Sequence, residues 1–598
     1  MSFSNELDKL YSISLPSTRS GVFFNTFAYP TKISPEIIAI YIAVHTKPRE
    51  TVLDVFGGSG STGIAAMMCE HPTEQMLKIS KDLDIKPVWG PRNAIIYELG
   101  KYGSFASDTV CNPPESKEFT KIAKEFIKEA KKDLGWIYKA KDPSGMDATL
   151  RHIIWSDVIK CPECGHEFSY YEAAVEYNPM KIRKNCNCPQ CSVNKKIEEY
   201  EHCLETKYDK LLEKEVTTRK RIPVRIYGQT GTQKWSRLVN NDDLERIEHV
   251  ESMSYFEHDF PKAVVWGDLY RAGYHTGITH LHHFYTRRNY YVMSYLWEKA
   301  SQYNGRIRDA LRLLLLSYNA SHSTLMTRVV VKKKSKDFVL TGAQNGVLYI
   351  SSLPVEKNIL VGIERKIKIF ERAYKYINDC NGNVEILNAS SEVLDIDNDS
   401  IKYVFTDPPF GDYIPYAEIN QINELWLGET TDRCREIIVS PAQNKKVDDY
   451  GEMLKTVFKE ISRVLRRDGL ATIVFHSSKA DVWHELRASF ENANLLVKNT
   501  SILDKTQSSF KQVVSDISVQ GDPVILLGKG EGVHEDTPSI EILDETIKKA
   551  LSEGNKDVRN IYSRYLTSCL DRGVAIMLGA KEAYEYVRER VEVNIYEC

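Results

Sequence analysis

The residues best suited to chemistry in this 598-residue chain are Asp407, Pro408, Pro409 and Phe410. They follow the apolar run Ile401–Phe405, whose length and β-branched and aromatic content predict a buried strand. Each proline fixes φ and has no N–H, so the turn is stiff and its carbonyls are left to accept hydrogen bonds. A carboxylate and a carbonyl side by side can hold a planar exocyclic amine, while an aromatic face beside them stacks on the ring that bears it. Taken alone, a strand that ends in a proline turn is an equally good reading.

Two further groups alter those odds. Thr51–Phe56 reads as a strand that includes Asp54 and ends at Phe56; Gly58, Gly60 and Gly63 follow, and a helix starts near Ile64. Strand, glycine turn and helix in that order form a nucleotide-binding entry. No lysine lies in the turn, which disfavours a phosphate-gripping P-loop. The second strand of the pattern, Asn93–Tyr97, ends in Glu98, where a carboxylate can accept from ribose hydroxyls. The third group is Cys161-x-x-Cys164 and Cys188-x-x-Cys191, with prolines and a glycine in the knuckles. Paired C-x-x-C motifs predict a four-thiolate zinc ribbon over about 155–195, with Cys186 as a spare that could displace Cys188. His280, His282 and His283 have no acid or cysteine beside them in the sequence, so packing or phosphate contact is expected there rather than metal.

The elements that must position these groups read as an α/β pattern in two halves. Ser34-Pro35-Glu36 is a helix start, with a cap, a first-turn proline and an acid, and the helix should run to about His45. After Tyr102 the alternation stops, and it resumes near 356 with a helix, a strand at Val384–Leu387, the Asp407 strand, a helix near 450–466 and the strand Leu470–Phe475. Two last strands near 495–502 and 523–528 have no helix between them, so they should form a reversed hairpin at the end of a mostly parallel sheet. The expected division is a cofactor-binding half (1–115), an insertion (116–355), a catalytic half (356–530) and a helical extension (531–598). Within the insertion, 116–133 and 193–215 read as charged helices. Arg219, Lys220, Arg221 and the Arg287–Arg288 loop alternate with aromatics, a pattern suited to phosphates and bases.

Composition narrows the classes. Net charge is -3, so no global basic field exists and nucleic acid would have to be met by local patches. Residues 151–240 hold 16 Lys and Arg against 12 Asp and Glu, a modest local excess. No apolar run is long enough to span a membrane, and Met1–Glu6 has no signal-peptide pattern. With five of twelve cysteines crowded between 161 and 191, metal is favoured over disulfides, and a cytoplasmic protein is the simplest reading.

Together these residues resemble the amino-DNA methyltransferases, in particular the adenine-specific group that carries a zinc ribbon. The resemblance runs over about 20–530. It rests on Thr31, Lys32 and Pro35 before the first helix, Phe56-x-Gly58-x-Gly60, the four cysteines, Asp407–Phe410 with Gly411–Glu418, Trp426-Leu427, and the Arg463…Gly469 turn. It implies a Rossmann-like S-adenosylmethionine-dependent fold. Thr31, Lys32, Asp54, Phe56, Gly58, Gly60 and Glu98 would be on the cofactor side, and Asp407, Pro408, Pro409 and Phe410 on the catalytic side. Tyr413 and Tyr416 would be candidates for the second face of the base. The implied substrate is adenine N6 of a base flipped out of double-stranded DNA; structural Zn2+ would sit on the cysteines, and the insertion would recognise the target. One departure stands out: the family commonly has an acid after the third strand, and Asn388-Ala389-Ser390-Ser391 stands there. Cytosine-N4 or RNA methylation, or a DNA-binding zinc-ribbon protein with a degenerate core, remain the alternatives. The recognition sequence, the oligomeric state and any restriction or defence-system partner are left open.

Overall fold

The computed structural model describes residues 3–12, 15–17, 21–177, 179–332, 335–341, 347–505, 521–530 and 535–596. The basic run at 328–334 therefore lies partly outside the described residues.

The central sheet has eight strands: β1 (Leu15–Ser17), β2 (Thr51–Asp54), β3 (Asn93–Tyr97), β4 (Val384–Leu387), β5 (Ile401–Thr406), β6 (Leu465–Val474), β7 (Leu495–Lys505) and β8 (Asp522–Lys529). Their spatial order is β1-β7-β8-β6-β5-β2-β3-β4. All neighbours are parallel except at β8, which runs antiparallel to both β6 and β7. The expected reversed hairpin is thus β7–β8, with β8 wedged inside the sheet, and β1 adds an edge that the sequence did not suggest.

Both faces of the sheet are covered, which is why its strands read as continuous apolar runs rather than alternating ones. Tyr403 and Phe405 of β5 enter one core with α1 (Pro35–His45) and α2 (Ser61–Met68). Val404 enters the opposite core with α8 (Val447–Val464) and α9 (Ala480–Glu491). The C-terminal extension supplies α10 (Ser539–Ser552), α11 (Val558–Asp571) and α12 (Ala580–Tyr596). Tyr562, Leu566 and Tyr584 of these helices belong to that second core, so the extension covers the sheet rather than forming a separate unit.

Two expectations in the insertion change. Helix α4 (Ser116–Leu134) forms as read, but its apolar face enters the first core beside α6 (Ile359–Asn378). The Ser116 amide is accepted by Asn378 at 2.9 Å and its hydroxyl donates to the Glu371 carbonyl at 2.8 Å. By packing, α4 is part of the layer that covers the central sheet. The predicted helix over 193–215 is absent: strands Leu204–Asp209 and Lys214–Arg219 form an antiparallel hairpin there. Glu/Lys spacing that stabilises a helix face also serves a solvated ribbon, and the cross-strand pair Thr206–Thr217, 2.8 Å between hydroxyls, favours the latter. The insertion's own sheet is built on the long strand Asp147–Lys160. Its last member, Val355–Lys357, leads directly into the Asn358 cap of α6, close to where the sequence placed the end of the insertion.

Candidate functional site

The strand order reverses between β2 and β5: β2 continues through β3 to β4, and β5 through β6 to the hairpin. At such a switch point the loops at the carboxyl ends splay apart and leave a crevice. A cleft lies there. Its lining includes Asp54, Phe56, Gly58, Glu98, Ser390, Ser391, Asp407 and Pro409, together with Thr31, Lys32 and Tyr416. Residues far apart in the chain meet because each follows the end of a different parallel strand.

The glycine turn is shaped by steric need. Gly58 and Gly60 have φ of +49° and +73°, a region that side chains disfavour. A Cβ on Gly60 would come within 2.6 Å of Ser107 on α3 (Lys101–Cys111). Asp54, buried at the end of β2, ties this turn to the Asp407 strand. It accepts from Thr62 and Thr406 hydroxyls at 2.6 Å each and from the Phe56 amide at 3.0 Å. Burial raises its carboxyl above the ordinary range, opposed by these hydrogen bonds. Glu98 takes the amides of Gly58 and Gly100, both at 2.6 Å. Burial lifts it from 4.5 to about 7, so its charge is set near neutrality.

Thr31 and Lys32 close the cleft from the other side. Thr31 has φ +55° and its hydroxyl lies 2.7 Å from that of Tyr416, on α7 (Tyr416–Leu427). The Lys32 ammonium donates to the Phe23 carbonyl at 2.7 Å and sits 4.2 Å over the Phe27 ring. Burial pulls it down from 10.5 to about 7.

Pro408 and Phe410 behave differently from Asp407 and Pro409. Both are buried and do not line the cleft. Phe410 packs edge-on against Phe475 at 5.4 Å and beside His476 and Tyr413 at 6.0 and 6.2 Å. A base stacking on Phe410, as expected from the sequence, would have to use what little of the ring stays open. Tyr413 is half-buried and packs on His476, and Tyr416 lines the cleft with its hydroxyl against Thr31. The Pro409 carbonyl accepts from the buried Tyr450 hydroxyl at 2.6 Å. Sequence reasoning missed Tyr450, and it also missed Ser390 and Ser391, which line the cleft at the place where the usual acid is lacking.

The four cysteines converge. Cys161 and Cys191 sulfurs are 3.7 Å apart, Cys164 and Cys188 sulfurs 3.6 Å, and all four lie within 4.8 Å of one another. A tetrahedron of thiolates about 2.3 Å from zinc has edges of about 3.8 Å, so the donor set fits that ion. The knuckles match: the Gly165 amide donates to Cys161 and the Ser192 amide to Cys188, each at 2.9 Å. Cys186 lies in the small apolar core beneath and does not join the cluster.

The basic residues offered for nucleic acid need correction. Arg219 and Arg221 flank Asp157, which is fully buried, at 2.8 Å each. Burial pushes that carboxyl up, but hydrogen bonding by His202 and the two guanidinium charges outweigh it and hold it low. Arg288, on the first turn of α5 (Arg287–Ser301), pairs at 2.9 Å with buried Glu356. These three cations are consumed inside the insertion, where a charge must be paired. Arg287 is half-buried, stacked 3.7 Å over Tyr255. Of the five, Lys220 is on the surface, 2.7 Å from Glu167.

The histidines also differ from expectation, because folding brings an acid to them. Asp209 Oδ2 lies 2.8 Å from Nε2 of both His282 and His283. The Thr279 amide donates to His283 Nδ1 at 3.1 Å, so a neutral His283 carries its proton on Nε2, facing Asp209. That tautomer leaves Nε2 no lone pair for a metal, and the cluster serves as a staple between the 204–219 hairpin and the loop before α5.

Comparison with known proteins gives three findings. A family model described as DNA methylase matches residues 4–72. That stretch holds α1, β2, the glycine turn and α2. No curated protein sequence matches. Among solved structures, geranyl diphosphate C-methyltransferase from Streptomyces coelicolor A3(2) is similar at 9% identity and a TM-score of 0.15, over 29% of this chain and 60% of that one. The antibiotic-resistance methyltransferase Kmr is similar at 13% identity and a TM-score of 0.16, over 28% of this chain and 73% of that one. The chain thus spans about three fifths of the first of these structures, and likeness at this level does not bear on the substrate. Among the described residues no helix is long and apolar enough to cross a membrane.

Proposed function

We propose that the protein transfers a methyl group from S-adenosylmethionine to adenine N6 of a base flipped out of double-stranded DNA. The observation that carries this reading is the meeting of Asp407, at the end of β5, with the glycine turn after β2 and Glu98 after β3 in one crevice at the switch point. Glu98 accepts from the ribose hydroxyls, and Phe56, Gly58, Thr31 and Lys32 bound the remainder of the cofactor. When bound, the cofactor supplies a sulfonium methyl as electrophile.

This chain's own residues then do the positioning. The adenine N6 lone pair is delocalised into its ring and is a poor nucleophile. Asp407 lines the cleft and accepts one N6–H; the family resemblance gives the other to the carbonyl of Pro408, a residue that does not itself line the cleft, and two such acceptors draw the nitrogen toward tetrahedral geometry and free its lone pair for in-line attack. Catalysis comes from holding that geometry. The base must leave the duplex to reach Asp407, and an acid as first member of the acceptor pair favours adenine over cytosine in the family that the motif resembles. The zinc-ribbon insertion supports target recognition, with Zn2+ held by Cys161, Cys164, Cys188 and Cys191 as a closed structural site.

The test is sequencing that reads methylated bases in DNA from a host expressing the wild-type chain or Asp407→Ala. N6-methyladenine at a defined motif, present with the former and missing with the latter, is expected. N4-methylcytosine, methylation confined to RNA, or cofactor binding without transfer to any nucleic acid would each refute the adenine assignment.

A further inference from the structure

The acceptor pair must be aimed to be useful, and two residues of the loop that bears it cannot be held through their amides. Pro408 and Pro409 have no N–H to donate, so the loop's orientation has to be fixed through its carbonyls and its packing. Packing restricts sideways movement: Phe410 abuts Phe475 and His476, and a Cβ on Gly411, whose φ is +66°, would lie 3.0 Å from Val482 of α9. Apolar contact is not directional, and the directional ties at Gly411, whose carbonyl accepts from the Val439 amide at 3.2 Å, and at Asp412, 2.9 Å from the Lys479 ammonium, lie beyond the prolines. A directional tie comes from Tyr450, in the first turn of α8. Its ring is fully buried, so its hydroxyl needs an acceptor inside the protein. The acceptor is the Pro409 carbonyl, at 2.6 Å.

Resting on the methyl-transfer reading above, we propose that Tyr450 is a positioning residue, whose hydroxyl pins the Pro409 carbonyl and thereby sets the direction of the Asp407 and Pro408 acceptors. With φ fixed at both prolines, the segment from 407 to 409 turns nearly as one piece, so holding its last carbonyl aims its first side chain. Tyr450 touches neither base nor cofactor. Helix α8 thus has a second duty besides covering the sheet: its buried face, with Leu454, Val457 and Phe458, holds the phenol rigidly enough to act as a stop.

The discriminating variant is Tyr450→Phe, which removes one oxygen and keeps the ring that fills the core. Two measurements are made on the full chain. In methyl transfer, kcat should fall about 10- to 100-fold, the cost of misplacing reacting groups by an ångström or less. The KM for DNA and the dissociation constant for S-adenosylmethionine should stay within about twofold. In hydrogen exchange, the amides of Phe410 and Gly411 should exchange at least about tenfold faster, with α8 and β5 unchanged. A kcat within twofold of wild type, or unaltered exchange at Phe410 and Gly411, overturns the proposal. Faster exchange throughout α8 and β5, with KM rising alongside, also overturns it, because the residue is then merely structural. A wild-type chain that methylates no DNA or RNA sinks the methyl-transfer reading itself, and the exchange data still decide whether Tyr450 anchors the loop.

Discussion

The cleft and the insertion both bury charge, and they do so in opposite ways. In the cleft Asp54 and Glu98 are held by neutral donors, namely amides and hydroxyls, while Lys32 donates to a carbonyl and lies over a ring. Desolvation outweighs what these partners return, so Glu98 and Lys32 both move to about 7. In the insertion, Asp157 and Glu356 face guanidinium groups. Their charges are locked. The contrast teaches that a buried charge left with neutral partners stays available to a ligand that brings its own polar groups, whereas a buried charge with a counterion is already spent on holding two segments together.

The sharpest way to break that comparison is at Asp407. Asp407→Ala should lower methyl transfer by about 10³-fold or more, the scale of losing an aimed electrostatic partner, with cofactor affinity within about twofold. Transfer within a few-fold of wild type would remove the loop from the chemistry. The next largest effect concerns folding of the ribbon. One zinc per chain is expected after exhaustive dialysis, and chelation should unfold the region around 155–195; an unchanged zinc content in Cys161→Ser/Cys164→Ser would refute the ligands.

Arg219→Ala should cost about 3–5 kcal/mol in denaturant unfolding, because it leaves Asp157 buried with half its counterions. Lys220→Ala, next in sequence but exposed, should change stability by no more than about 0.5 kcal/mol. Equal effects of the two would erase the distinction between a buried ion pair and an exposed one. The pH dependence at Glu98 is the subtlest test. Since folding raises this carboxyl from 4.5 to about 7, its contribution to stability is present below 4.5 and is lost as pH rises through about 7. Cofactor binding that uses the ionised form runs the other way. Affinity for S-adenosylmethionine should fall as pH drops from 8 to 6, by at most about tenfold per pH unit, and Glu98→Gln should flatten that slope. A slope retained in Glu98→Gln would place the titrating group elsewhere, with Lys32 the first to examine.

The order of strands, the glycine turn, the Asp407 loop and the C-x-x-C pairs were legible in the chain because each depends on local rules. Continuous apolar runs specify doubly covered strands, positive φ calls for glycine, and ligand spacing in a knuckle is set by one tight turn. The α4 helix was read as a charged helix and forms over Ser116–Leu134, although nothing local says which layer it joins. What charges do was not legible. Arg219-Lys220-Arg221 is a basic run in sequence, yet strand alternation sends its two arginines inward to Asp157, some sixty residues upstream, and its lysine outward. Asp209 reached His282 and His283 only when the 204–219 ribbon folded over them. Tyr450 reads as one more apolar position of an amphipathic helix, and only the packing of α8 under the Asp407 loop shows that its hydroxyl has a carbonyl to meet. Local geometry is written in neighbouring residues, whereas the worth of a buried polar group depends on what long-range folding places within about 3 Å of it.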